Sequence, residues 1–152
     1  MERGRRAFTL VEVVIVVGII AILSAIAIPH YAGIIQRYRA DAAARRIIND
    51  LAMVQSRANT TSTSQTIVFS TAASQYSVTG MADPTGSTTT YTVRLQDAPY
   101  NSRLVSANFG GDSQLSFDGY GVPNRGGTLV LRAGDVERTV AVDATSGRAK
   151  IQ

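Results

Sequence analysis

The sequence contains no cysteine and no tryptophan, and it has a single histidine, His30. Without cysteine, neither a disulfide framework nor a thiolate metal site can form. No P-loop or histidine metal motif is present, and a catalytic triad would have to be assembled around His30. We therefore expect no enzyme activity, no cofactor and no metal site.

Positive charge is also limited, because the formal net charge is only +4 over 152 residues. Part of that excess lies at the start of the chain, where Arg3, Arg5 and Arg6 are opposed only by Glu2. A strongly basic nucleic-acid domain is not indicated. The length suits one modest domain.

A long apolar run follows these arginines, from Phe8 to Ile28, and Glu12 is its one ionisable residue. As a helix, the run would span about 30 Å, the thickness of a bilayer core. The preceding arginines predict a cytoplasmic N-terminus, with residues 30–152 on the other side of the membrane. A carboxylate at membrane depth costs about 2.5–3.5 kcal/mol, so Glu12 requires a partner or a purpose.

Two ordinary interpretations of this run leave Glu12 unexplained. A secretory signal peptide could be cut after Ala27, because Ala25-Ile26-Ala27 fits an A-x-A cleavage site. That product would be an exported soluble protein without Glu12. A plain single-pass anchor would keep Glu12 and give it no role.

The stretch Ala7-Phe8-Thr9-Leu10-Val11-Glu12 resembles the class III signal of type IV pilins and pseudopilins. The resemblance implies that residues 1–7 are a leader, which a prepilin peptidase removes between Ala7 and Phe8. It also implies N-methylation of Phe8, and it places Glu12 at the fifth mature position. Glu12 would then meet the amine of a neighbouring subunit's Phe8 during filament assembly. Ala7 departs from the family's usual glycine, and cleavage after Gly4 would misplace Glu12.

Beyond a transmembrane and assembly helix at 8–29, the pattern predicts an amphipathic helix over residues 30–59. Pro29 should kink the passage between the two. Apolar residues recur at short steps and define a stripe expected to face a sheet. The charged residues of this helix, among them Arg46 and Asp50, are expected to form a solvated face. The stripe comprises Tyr31, Ile34, Ile35, Tyr38, Ala42, Ile47, Ile48, Leu51, Val54 and Ala58.

Residues 65–152 read as a β-region, rich in threonine, serine, valine and glycine. Short alternating runs bounded by turn residues predict antiparallel strands in one sheet or two small ones. Together with the long helix they predict an α+β fold, in which the helix packs on the sheet. Residues 82–87 are expected to form an exposed loop. The predicted strands are 66–70, 75–79, 89–95, 114–117, 128–132, 138–142 and 148–151.

The segment 115–151 is similar to the end of minor pseudopilins and pilins of the GspH/FimT family. The matching positions are an F-x-x-x-G turn, a Gly-Gly-Thr start of a strand and a final Gly-Arg hairpin: Phe117, Gly121, Gly126, Gly127, Thr128, Gly147 and Arg148. Independently of the resemblance, Asp118-Gly119 and Gly126-Gly127 are predicted to be turn residues with positive φ.

The resemblance implies a pilin-like minor pseudopilin of a type II secretion system, held in the bacterial inner membrane with a periplasmic C-terminal domain. Its implied partners are the prepilin peptidase, the membrane, and other pseudopilins or pilins in a filament. The alternative is a minor pilin of a type IV pilus that binds DNA in competence. Some FimT-like pilins do so through a Gly-Arg-x-Arg segment, which Gly147-Arg148-Ala149-Lys150 resembles with lysine in the last position. Arg148, Lys150 and Arg125 would then contact phosphate.

Overall fold

The structure is a computed structural model that describes residues 8–82 and 90–152, without the side chains at 27–30 and 32. Most of the predicted loop at 82–87 lies outside the described residues. One helix precedes eight strands in the described chain, which forms two compact units: residues up to Ile35, and Gln36–Gln152. The elements are α1 (Leu10–Thr61), β1 (Gln65–Ser70), β2 (Gln75–Thr79), β3 (Thr90–Arg94), β4 (Arg103–Asn108), β5 (Gln114–Phe117), β6 (Gly127–Ala133), β7 (Val136–Val142) and β8 (Ala149–Ile151).

The second unit contains two four-stranded antiparallel sheets, which pack with α1 in an α+β fold, as predicted. Their strand orders are β3-β2-β1-β5 and β4-β6-β7-β8. Each of the seven predicted strands is present, with bounds shifted by at most two residues. The eighth, β4, was not predicted because a bulge between Leu104 and Ser106 breaks its alternation. Turn-forming residues also flank β4 on both sides.

Helix α1 contributes one face to the core of the second unit, and only half of the predicted stripe lies on it. Ile47, Leu51, Val54 and Ala58 are buried, as predicted. Tyr38 is 71% exposed, and Ala40, Ala43 and Ala44 are buried instead. The predicted stripe was wrong before Ile47, because the five-residue step from Ala42 to Ile47 corresponds to a rotation of about 140° around the helix axis. The two residues therefore lie on different faces of the helix. Within the first unit, Tyr31 and Ile34 are also exposed.

The helix ends in a Schellman motif, in which the chain reverses through a residue with positive φ. Ser62 has φ 51°, its N–H donates to Asn59 O, and the N–H of Thr63 donates to Ala58 O. These bonds satisfy carbonyl groups that the last turn would otherwise leave without a donor. The motif directs the chain straight into β1.

A single hydrophobic core joins α1 to both sheets. Leu51 and Val54 of the helix, Ile67 and Phe69 of β1, and Leu129 of β6 all belong to it. The Phe69 ring lies 5.7 Å from Tyr76 and 5.5 Å from Phe109, measured between ring centroids. Because these aromatic side chains are almost fully buried, they fix how the sheets and the helix meet.

Candidate functional site

The start of α1 is capped by a threonine immediately after Phe8. The hydroxyl of Thr9 accepts a hydrogen bond from the N–H of Glu12 (3.3 Å), and the N–H of Val13 donates to Thr9 O. This is the N-cap half of a capping box, and the sequence carries its Thr-x-x-Glu spacing at Thr9 and Glu12. Phe8 is 79% exposed and precedes the helix, while Ala7 lies outside the described residues.

Glu12 occupies the first turn of α1 and is exposed. A carboxylate in this position is favoured by the partial positive charge of the helix N-terminus. No ion pair among the described residues includes Glu12. Its side chain is therefore available to a cationic partner, while its N–H is already used by the cap.

In the part of the chain that the structure describes, we find no helix of sufficient length and apolar character to cross a membrane.

The F-x-x-x-G segment forms a tight turn held by one aspartate. Asp118 Oδ1 accepts hydrogen bonds from the N–H groups of Tyr120 (2.9 Å) and Val122 (2.8 Å). The N–H of Gly121 donates to Asp118 O, and Gly121 has φ +77°. Phe117, the first residue of the motif, is fully buried. The turn therefore anchors its aromatic residue in the core and presents Tyr120, which is 85% exposed, to solvent.

The Gly-Arg segment closes a second turn, between β7 and β8. Asp143 Oδ1 accepts hydrogen bonds from the N–H groups of Thr145 and Ser146 and from the Ser146 hydroxyl. These bonds, with a smaller contribution from nearby Lys150, lower the pKa of Asp143. Gly147 has φ +69°, and an added Cβ there would lie 2.7 Å from the Phe117 ring. The two motifs are thus in direct contact.

One glutamine of α1 joins both turns to the helix. Gln55 Nε2 donates to Gly121 O and to Ser146 O, each at 2.8 Å. Gln55 was not predicted, because nothing in a helix sequence shows which distant carbonyl groups a glutamine side chain will meet. Three of the matching positions, Phe117, Gly121 and Gly147, therefore meet in one structural cluster with Gln55.

The prediction of positive φ was wrong for Gly119, Gly126 and Gly127. None of these three glycines has a positive φ in the structure. These positions need glycine for space. A Cβ on Gly119 would lie 2.8 Å from the backbone of Ser62, and one on Gly126 would lie 2.8 Å from Val142 O. Gly127 is similarly close to Asn108 and Phe109. Close backbone approach, rather than turn conformation, explains them.

The three cations proposed to contact phosphate are not all in one place. Arg148 and Lys150 are exposed and line one shallow surface depression together with Asp143 and Ser146. Arg125 is not among the residues lining it, and its Nη1 donates instead to Gly110 O (3.1 Å). Within the described residues, no ion pair includes any of the three.

A buried polar cluster around Asp50 was not predicted, because Arg46 and Asp50 were assigned to a solvated helix face. Asp50 is only 5% exposed, and its Oδ2 accepts from Tyr76 OH (2.6 Å), Tyr91 OH (2.7 Å) and Arg46 Nε (3.1 Å). Arg46 Nη2 also donates to Tyr91 OH at 2.5 Å. The signal would have been an (i, i+4) charge pair among the helix's core-facing positions.

This environment shifts the ionisation of the cluster. Burial, then the hydrogen bond and charge of Asp50, raise the pKa of Tyr91 to about 12. The same causes, burial first, raise the pKa of Tyr76 far above its ordinary value. Burial tends to lower the pKa of Arg46, but the Tyr91 hydrogen bond and the Asp50 charge outweigh it and raise that pKa. The cluster links α1 to β2 and β3 through buried hydrogen bonds, so we assign it to stability. No cluster of metal-binding side chains occurs in the described ranges.

Comparison with known proteins matches two family models. Residues 43–146 match the type II transport protein GspH, and residues 3–28 match the prokaryotic N-terminal methylation motif. No curated protein matches the chain significantly.

The fold is similar to crystal structures of the type IV minor pilin FimU of Pseudomonas aeruginosa (strain PAO1). In space group P21 the match has a TM-score of 0.55 and 14% identity, covering 76% of this chain and 88% of FimU. In space group P65 the match has a TM-score of 0.53 and 12% identity, covering 74% of this chain and 91% of FimU. At such identities the likeness shows the fold alone. Because the GspH model spans most of the second unit, including Gln55, the Asp118 turn and the first part of the Asp143 turn, the chain belongs to the GspH family of pilin-like proteins.

Proposed function

We propose that this protein is a minor pseudopilin, a structural subunit of a type II secretion pseudopilus. It is made as a precursor, cut between Ala7 and Phe8 by a prepilin peptidase and N-methylated on Phe8. Residues 8–29 lie in the bacterial inner membrane with the N-terminus cytoplasmic, and residues 30–152 are periplasmic. The match of residues 3–28 to the N-terminal methylation motif is the observation that carries the proposal.

The geometry at Phe8 is compatible with this processing. Phe8 and Thr9 precede the first helical residue, Leu10. The peptide bond before Phe8 is thus separated from the helical hydrogen-bond ladder by the Thr9 cap. Because Phe8 and Thr9 lie outside α1, a peptidase could act before Phe8 without unwinding the helix.

Glu12 would have two electrostatic roles in the mature subunit. Its carboxylate favours the helix N-terminus, whereas the new Phe8 amine places a cation there, which is unfavourable. Pairing of that amine with Glu12 of a neighbouring subunit would offset both buried charges in a filament. Charge balance at this end of the helix therefore supports the assembly role that the family resemblance implies for Glu12.

The first test is the mass of the N-terminal peptide from protein purified out of host membranes. We expect a peptide that begins with N-methylated Phe8. A chain beginning at Ile28 would indicate a cleaved signal peptide, and an unprocessed Met1 would indicate a plain anchor; either result would contradict the proposal.

A second test separates assembly from processing. Glu12→Gln removes the charge but keeps the Thr9 cap, so the variant should be cut and methylated yet largely absent from subunit cross-links in the membrane. Glu137→Gln is the matched control, because Glu137 is an exposed glutamate that pairs with Arg132 in the second unit. Normal cross-linking of Glu12→Gln would contradict the assembly role.

The choice between a secretion system and a pilus needs a cellular readout. In a deletion strain, we expect secretion of the host's type II cargo to fall while twitching motility persists. Loss of twitching with normal secretion would instead place the subunit in a type IV pilus.

A further inference from the structure

The sheet β4-β6-β7-β8 ends at a strand whose outer edge carries free backbone groups. Asp143 N–H donates to Arg148 O, and Gln152 N–H donates to Thr139 O. In an antiparallel ladder, hydrogen-bonded residue pairs alternate with pairs that are not hydrogen-bonded. The hydrogen-bonded pairs between β7 and β8 are Asp143 with Arg148, Ala141 with Lys150, and Thr139 with Gln152. The N–H and C=O groups of Ala149 and Ile151 must therefore point away from β7. Among the described residues, no hydrogen bond reaches them from that side.

Two of the other sheet edges, those of β5 and β4, are protected. The edge of β5 is covered by the following chain, because Asn124 N–H donates to Ser116 O and Asn124 Oδ1 accepts from Ser116 N–H. The edge of β4 is interrupted by its bulge, and its Leu104 N–H donates to Ser74 Oγ. Both are usual ways of protecting an edge from further pairing. Neither protects the backbone of β8.

The side chains of β8 indicate what could add to it. Ala149 and Ile151 pack against the core, while Arg148 and Lys150 are exposed beside the shallow depression. Two copies of this edge would bring like charges together, which disfavours self-pairing. Asp143, the nearby acid, has its Oδ1 engaged by its own turn. The edge is thus suited to an acidic partner.

A peptide fits this edge better than a nucleic acid does. Ala149 and Ile151 each offer one donor and one acceptor, the pattern that an extended backbone complements. Phosphate oxygens could use only the donors and the two cations. Arg125, the third candidate phosphate contact, does not line the depression.

We propose that the outer edge of β8 binds an extended acidic segment of another protein as an added strand, with Arg148 and Lys150 contacting its carboxylates. Within the proposed function, such a segment would belong to another component of the secretion machinery. The edge lies in the second unit, so this contact is separate from assembly through Glu12.

The test uses the full chain in detergent and a fluorescent heptapeptide that alternates glutamate and valine. A lysine–valine heptapeptide and a 20-base-pair DNA duplex are the comparison ligands. Among the backbone donors of β8, Ala149→Pro removes just one outward N–H and should weaken binding of the acidic peptide about tenfold, whereas Ala149→Ser keeps that N–H and should bind normally. Lys150→Glu should weaken binding of the acidic peptide and strengthen that of the lysine peptide.

Three results would overturn the proposal: no binding of the acidic peptide, equal binding by Ala149→Pro and Ala149→Ser, or stronger binding of duplex DNA than of the peptide. Because Ala149→Pro could perturb the strand, its melting temperature is measured alongside. The charge reversal in Lys150→Glu does not depend on that backbone change. Processing at Phe8 is measured separately, so failure here would leave the pseudopilin proposal standing.

Discussion

At the scale of single residues, the glycines of the family pattern have two different physical reasons. Gly121 and Gly147 have positive φ, a conformation that other residues adopt only with strain. Gly119 and Gly126 lie against backbone atoms and have no room for a side chain. A sequence shows that glycine is present, but only the fold shows which of these reasons applies.

Gly147 has both a positive φ and too little space for a side chain. Substitutions can measure the energetic cost of each separately. Gly147→Ala should lower the free energy of unfolding by about 1–2 kcal/mol for the left-handed conformation, and further because the new Cβ meets Phe117. Gly80→Ala is the control, since Gly80 has φ +79° with nothing within 4 Å of an added Cβ. Urea unfolding followed by circular dichroism measures both. Equal losses in the two variants would show that crowding at Phe117 is unimportant.

The buried Asp50 cluster makes a second prediction at this scale. Tyr76→Phe removes a hydrogen bond to a buried carboxylate and should lower the free energy of unfolding by about 1.5–3 kcal/mol. Tyr120→Phe deletes the same hydroxyl from an exposed turn and should change it by less than about 0.5 kcal/mol. If the Tyr76→Phe variant were as stable as the wild-type protein in urea, the hydrogen bond from Tyr76 to Asp50 would contribute little to the free energy of unfolding.

At the scale of elements, the backbone at the end of α1 is strained at one residue, and a substitution there should relieve the strain. Ser62 adopts the left-handed conformation that glycine usually fills in a Schellman motif. Ser62→Gly should therefore raise the free energy of unfolding by about 0.5–1 kcal/mol. The control is Ser56→Gly, inside the same helix, which should lower it by a similar amount. Thermal and urea unfolding of the two variants should shift in opposite directions; a shift in the same direction would contradict the cap assignment.

The elements themselves were largely predictable because their signals are local. Seven strands followed from alternation between turn residues, and the helix from apolar spacing and alanine content. The failures were non-local or irregular: the bulge in β4 hid its period, and the five-residue step after Ala42 moved the apolar stripe to another face. Periodicity within a segment does not show which face will meet the sheets.

At the scale of the whole molecule, the same distinction separates the two candidate regions. The N-terminal segment was identified because its signal is a short contiguous pattern around Phe8 and Glu12. The cluster around Gln55 was not, because it joins α1 to turns more than 60 residues later in the chain. Asp50 was misassigned for a related reason: its two tyrosine partners come from strands beyond the helix.

This polar link between α1 and the sheet should make the stability of the whole second unit sensitive to alkali. Tyr91 has a pKa of about 12 in the folded protein, whereas an unfolded tyrosine has a pKa near 10. A raised pKa means that the folded state holds the proton more tightly, so its contribution to stability is complete below about pH 10. That contribution is lost as the pH rises from about 10 through 12.

We therefore expect the urea midpoint to fall between about pH 10 and 12, and to fall less steeply in Tyr91→Phe, which has no proton to lose there. Tyr120→Phe, with an exposed ring, should keep the wild-type slope. Since Tyr76 shares Asp50 and has its pKa raised further still, a residual fall should persist in Tyr91→Phe and flatten further in the double variant Tyr76→Phe/Tyr91→Phe. An unchanged slope in the double variant would mean that alkaline unfolding begins elsewhere in the molecule.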